Sequence, residues 1–62
     1  MNRRTLDIAL AVGIAEGWVE ALDEEEVVQA WQMLVTTGVA WKLQGSFGRK
    51  AKSLIEEGVV KL

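Results

Sequence analysis

A mainly α fold is predicted for this chain: a small three-helix domain with a short extended segment around residues 39–44, inclined to self-associate. Three observations lead there. Apolar residues recur at helical spacing in three separate stretches. A helix-start signal, Asp23-Glu24-Glu25-Glu26, precedes one of them, and Gly38 and Gly58 stand where two of them would end. Half of the 62 residues are apolar, a large share for a chain able to bury only about 60% of its unfolded surface.

The first helix takes Thr5 as its cap and Asp7 as a favourable charge in its first turn. Leu6, Leu10, Ile14 and Gly17 line one side, and Ile8, Val12, Ala15 and Val19 line another. A helix apolar on two sides is either central or shared with a second chain. Ala9, Gly13, Gly17 and Ala21 also recur every fourth residue. They make either a small-residue stripe for close backbone approach, or a helix that simply ends at Gly17.

The second helix opens at Asp23. Its side chain can accept from the Glu26 amide while Glu26 reaches back, a capping box with Asp in the Ser/Thr role. Val27, Trp31, Leu34 and Val35 follow as an apolar stripe, and Gly38 suits a left-handed C-terminal cap. Val39, Trp41 and Leu43 then alternate with Ala40, Lys42 and Gln44, a two-residue period that reads as extended, with a helical turn as the alternative. An extended piece here could pair with Val59-Val60 or with its copy in another chain. Ser46 is the expected N-cap of a third helix, roughly Phe47 to Glu57, burying Phe47, Ala51, Leu54 and Ile55. After Gly58, the apolar residues Val59, Val60 and Leu62 are expected to dock on the core.

The usual supports of so small a domain are missing. There is no cysteine for a disulfide and no histidine for a zinc site of the usual kind, which leaves helix packing or self-association. The acidic run Asp23 to Glu26 lacks EF-hand spacing and reads as helix capping. No catalytic, cofactor-binding or metal-ligating set is expected, because the chain shows no catalytic constellation and encloses little pocket volume. Arg3 and Arg4 precede an apolar run, but Asp7 interrupts it, and Ile8 to Ala15 falls far short of the ~20 apolar residues of a membrane span. A soluble cytoplasmic protein is expected.

The stretch from Trp31 to Gly58 carries a resemblance. Trp31-Gln32, Leu34-Val35-Thr36-Thr37-Gly38-Val39-Ala40-Trp41, Leu43-Gln44-Gly45, Phe47-Gly48-Arg49, Ala51, Leu54-Ile55-Glu56 and Gly58 together resemble a family of very small bacteriophage-encoded proteins of unknown function. The distinctive part is Trp-x-Leu-Gln-Gly-x-aromatic-Gly-Arg. Trp31, Thr36, Val39 and Phe47 replace Phe, Asp, Leu and Tyr of that pattern, and the first twenty residues follow it poorly. The resemblance implies a phage origin and a host cytoplasmic setting. It implies no activity.

Charge is unevenly distributed. Residues 1–37 set Arg3 and Arg4 against Asp7, Glu16, Glu20, Asp23, Glu24, Glu25 and Glu26. Residues 38–62 set Lys42, Arg49, Lys50, Lys52 and Lys61 against Glu56 and Glu57. The two halves read as solvated faces that attract each other within the fold or across a dimer, or the second half as a basic binding patch. Gly45-Ser46-Phe47-Gly48-Arg49-Lys50 is either a tight loop-to-helix turn or an anion-holding turn like the Gly-x-x-Gly clamp of KH domains. Trp31 is expected in the core. Trp18 and Trp41 are less easily placed there and are candidates for contact between chains. The candidate interaction residues are Trp18, Trp41, Arg49, Lys50 and Lys52. The expected function is a helical protein-interaction module, homodimeric and directed at a host or phage protein. The alternative is a nucleic-acid-binding regulator using the basic third helix, which the acidic total disfavours.

Overall fold

The computed structural model describes residues 4–43 and 45–62. Among the described residues four helices follow one another: α1 Ile8–Glu16, α2 Glu24–Thr37, α3 Val39–Lys42 and α4 Gly45–Glu56. No strand occurs among the described residues, so the mainly α class holds. Arg3 and Gln44, which entered the charge count and the alternation above, lie outside the described residues. α1 packs on α2, α2 on α3, and α3 on α4. The core is Ala11 and Ile14 of α1, Ala30, Trp31, Leu34 and Val35 of α2, Ala40, Ala51, and Val60 beyond α4. Trp31 and Phe47 join α2 to α4 directly, with ring centroids 5.5 Å apart and planes tilted by 37°.

The cap of α1 is Asp7, not Thr5: an Asp7 carboxylate oxygen accepts from the Leu10 amide at 2.8 Å. Both residue types cap helices, but the carboxylate adds charge where the helix dipole is positive. The other end of α1 decides between the two readings of Gly17. Gly17 is left-handed (φ 87°); its N–H donates to the Ile14 carbonyl at 3.1 Å and the Trp18 N–H to the Gly13 carbonyl at 2.9 Å. These paired bonds are a Schellman cap, so the helix ends there and the small-residue stripe is broken. Val19 then folds back over Gly13. Its N–H also reaches the Gly13 carbonyl at 3.1 Å, and a Cβ on Gly13 would lie 2.7 Å from Val19 Cγ2. Leu6, Leu10, Val12, Ala15 and Val19, drawn from both apolar sides of the first helix, pack partly buried against the core, while Ile8 stays exposed.

α2 starts as its sequence predicts, with Asp23 accepting from the Glu26 amide at 2.9 Å. Trp31, Leu34 and Val35 are buried; Val27 of the expected stripe is exposed and Ala30 takes a core position. Gly38, left-handed at φ 83°, closes the helix.

The expected extended segment is instead a helical turn, Val39–Lys42. Gly38 reverses the chain and starts the next turn at once, its carbonyl accepting from the Trp41 N–H at 3.1 Å. Burial runs opposite to the alternation: Ala40 is fully buried and Trp41 exposed. A small residue at this crowded bend lets α3 lie against both neighbours, and three alternating residues are too few to impose a strand.

The third predicted helix begins earlier than expected. α4 starts at Gly45, so Ser46 lies inside its first turn and is not a cap. Gly45 and Gly48 are helical; the glycines with positive φ are Gly17, Gly38 and Gly58. The stretch from Gly45 to Lys50 is therefore neither a tight turn nor a loop clamp. Gly58 repeats the Gly17 cap: its N–H donates to Ile55 at 3.0 Å and the Val59 N–H to Leu54 at 2.9 Å. Val60 is buried as expected, whereas Val59 and Leu62 stay exposed. The tail is held by Gln32, whose side-chain amide donates to the Lys61 carbonyl at 2.6 Å and accepts from the Lys61 N–H at 2.8 Å.

Candidate interaction surface

The candidate residues fall into two groups. Trp18 belongs to the connection between α1 and α2. The Schellman cap fixes its backbone, and the indole stands 83% exposed. Leu22, four residues on, is 54% exposed, and exposed Glu16, Glu20, Glu24 and Glu25 surround the pair in sequence.

This connection is held by an ion pair that no local motif announces. The Arg4 guanidinium grips the buried Glu26 carboxylate with two bonds, Nε to Oε2 at 2.9 Å and Nη2 to Oε1 at 2.7 Å. Arg4 Nη2 also donates to the Glu20 carbonyl at 2.7 Å, and Glu26 Oε1 accepts from the Leu22 N–H at 2.8 Å. The backbone on either side of Ala21 is thus held by one salt bridge. The hydrogen bond to Glu26 raises the Arg4 pKa further above its ordinary value, so the pair stays charged on the arginine side at any physiological pH. The capping box pointed to Glu26 reaching backward; nothing in the spacing pointed to Arg4.

The second group lies beyond α2. Trp41, on α3, is 46% exposed, and a Cβ on Gly48 of α4 would lie 3.8 Å from its ring. Lys42, Arg49, Lys50 and Lys52 are exposed, and none makes an ion pair with a described residue. The structure does not bring the two tryptophans into one cluster, because the 14-residue α2, about 21 Å at 1.5 Å per residue, runs between their connections. Among the described residues, no group of three or more His, Cys, Asp or Glu is placed to hold a metal ion. The acidic run is spent on capping α2 and on the Arg4 pair. No helix among the described residues is long and apolar enough to cross a membrane.

The fold and its surface thus define a small helical domain that presents two exposed tryptophans, Trp18 and Trp41. A family model described as a domain of unknown function, DUF7417, matches residues 7–62, and the chain belongs to that family. The match takes in all four helices, including α1, where the phage-protein pattern is followed poorly. No curated protein and no solved structure matches the chain.

Proposed function

We propose that this chain is a phage-encoded protein-interaction module that works in the host cytoplasm, pairs with a second copy of itself and binds a host or phage protein. One observation carries the reading: Trp18 is 83% exposed although its backbone is fixed by its own N–H bond and those of Gly17 and Val19 at the α1 cap, and by the Arg4–Glu26 pair beyond it. A large apolar ring held outward on an ordered backbone loses little conformational entropy when it is covered, which favours its use as a contact anchor. The phage setting is supported by the resemblance of residues 31–58. The two-sided α1 now contributes less to the case for self-association, because the chain covers much of both sides itself. Trp18, Leu22 and Trp41 contribute more.

The test is sedimentation across a concentration series, paired with affinity capture from host lysate after nuclease treatment. A species heavier than 6.8 kDa and a protein captured by the wild type but not by Trp18→Ala support the reading. A monomer at every concentration, with capture that vanishes on nuclease treatment, points instead to the nucleic-acid reading. Exposed Arg49, Lys50 and Lys52 on α4 favour that alternative.

A further inference from the structure

We infer that the protein partner proposed above docks on the α3–α4 face as a short acidic segment, setting an apolar side chain on the Trp41 ring and a carboxylate on the Arg49 guanidinium. The inference rests on that proposed function and names the chemistry of its partner.

Two helical glycines build the face. The Trp41 ring comes to 3.8 Å from the place a Cβ on Gly48 would take, and Arg49 Nη1 to 3.6 Å from the corresponding place on Gly45. Gly45 and Gly48 stand three residues apart in α4. Those two places therefore lie about 5–6 Å from each other on one helix surface, which holds the guanidinium and the indole no more than about 13 Å apart. α3 packs on α4, so the ring is seated against the fold, yet Trp41 is 46% exposed and Arg49 is exposed. Among the described residues Arg49 has no ion-pair partner.

Helix geometry sorts the remaining charges. Lys52 is four residues from Gly48 and seven from Gly45, on the same surface as the indole and the guanidinium. Lys50 is turned about 100° from Arg49 around α4 and stands nearly opposite Gly48. Glu56, four residues after Lys52, returns a negative charge to that surface. Two cations bounded by a carboxylate suit one or two anionic groups. They do not offer the run of cations that nucleic-acid affinity draws on. A guanidinium fork meets a carboxylate through two parallel bonds. An extended peptide advances about 7 Å every two residues and keeps those side chains on one side. An apolar residue and an acid two to four positions apart therefore span the distance from Trp41 to Arg49.

Fluorescence anisotropy on the full chain tests this. The probe is a fluorescein-labelled peptide of repeated Leu-Ser-Glu-Ser, with repeated Leu-Ser-Gln-Ser as its neutral control. The wild type should bind the acidic peptide and not the neutral one, and added salt should weaken the binding. Trp41→Ala and Arg49→Ala should each weaken it on the order of tenfold or more. Lys50→Ala and Trp18→Ala should leave it within about twofold of wild type. Circular dichroism checks the fold of each variant, and Arg49→Ala, at an exposed position, decides the matter if Trp41→Ala does not fold. No binding by the wild type at millimolar peptide, equal binding of the neutral peptide, or equal losses at Lys50 and Arg49 overturns the inference. A labelled oligothymidylate that binds through Trp41 and Arg49 more tightly than the peptide overturns it also. So does self-association that Trp41→Ala and Arg49→Ala abolish, which gives the face to a second copy. The proposed function fails separately: if nuclease-treated host lysate yields no captured protein while the acidic peptide still binds through Trp41 and Arg49, the face stands and that function falls. A lysate protein still captured by Arg49→Ala leaves that function intact and overturns this docking.

Discussion

Arg4 and Glu26, 22 positions apart, form a two-bond ion pair that also fixes the backbone between α1 and α2. Glu26 is fully buried and Arg4 is only partly covered. The pair joins the residues preceding α1 to the first turn of α2, and through the Glu20 carbonyl and Leu22 N–H it holds the connection that carries Trp18. Structure and proposed function meet here: a chain with no disulfide uses a buried carboxylate to keep an apolar loop in place.

Breaking this pair from the arginine side should be more damaging than an ordinary surface change. Arg4→Ala takes two charge-assisted hydrogen bonds from a buried carboxylate, which costs more than losing an exposed salt bridge. A marked fall in melting temperature is expected, larger than for Lys52→Ala. Because the arginine pKa is raised, its contribution is complete below the ordinary arginine pKa and is lost only as pH rises through the raised value. The arginine therefore introduces no stability change between pH 6 and 9. A thermal melt of Arg4→Ala indistinguishable from wild type would show that the pair does not hold the loop.

The caps make a matched comparison. Asp23→Ala and Asp7→Ala should each cost about 1 kcal/mol, since each removes a side-chain acceptor and a charge from a helix start. Thr5→Ala should cost little. Equal losses at Thr5 and Asp7 in chemical denaturation would restore Thr5 as the cap.

The parts legible in the sequence were those with one local cause. Asp23 with Glu26, and Gly38 and Gly58 after their apolar stripes, announce their roles within a few residues. The alternation of Val39, Trp41 and Leu43 predicts an extended piece, but it is only three residues deep, and Gly38 and packing on two helices set a helical turn over Val39–Lys42 instead. The glycines at 45 and 48 suggested a turn by composition alone, whereas α4 simply accommodates them. The candidate surface was half legible. Trp31 is buried on the stripe that predicts it, and Trp18 and Trp41 are exposed, but the separation of those two by α2 depends on where helices begin and end. Arg4–Glu26 and Gln32–Lys61 are long-range polar contacts, and neither partner in isolation differs from an ordinary surface residue.

Gln32 should control the tail without disturbing the helices. Its amide meets both the N–H and the carbonyl of Lys61, which only a group with a donor and an acceptor side by side can do. Gln32→Glu keeps the size but sets a carboxylate oxygen against the Lys61 carbonyl. About 1–2 kcal/mol should be lost, with faster hydrogen exchange at the Lys61 amide and unchanged helix content. Unaltered exchange at Lys61 would mean that Val60 burial alone secures the tail.

Gly13 and Gly48 are both helical glycines, and the structure predicts opposite outcomes for the same substitution. At Gly48 a new methyl meets the Trp41 ring at 3.8 Å, an ordinary contact, so Gly48→Ala should stabilise by up to about 1 kcal/mol through helix propensity. At Gly13 the methyl would approach Val19 Cγ2 to 2.7 Å. Val19 has little freedom to yield, being β-branched, packed against the core and bonded through its own N–H to the Gly13 carbonyl. Gly13→Ala should therefore destabilise by about 1–3 kcal/mol, the range for overpacking, despite the same propensity gain. Adding Val19→Ala should recover part of that loss, because the clash disappears with the Val19 Cγ atoms. Non-additivity in this double-mutant cycle reads the contact directly. If Gly13→Ala stabilises as much as Gly48→Ala, Val19 does not close over α1, and the backbone of the Trp18 connection is set by Gly17 and the Arg4 pair alone.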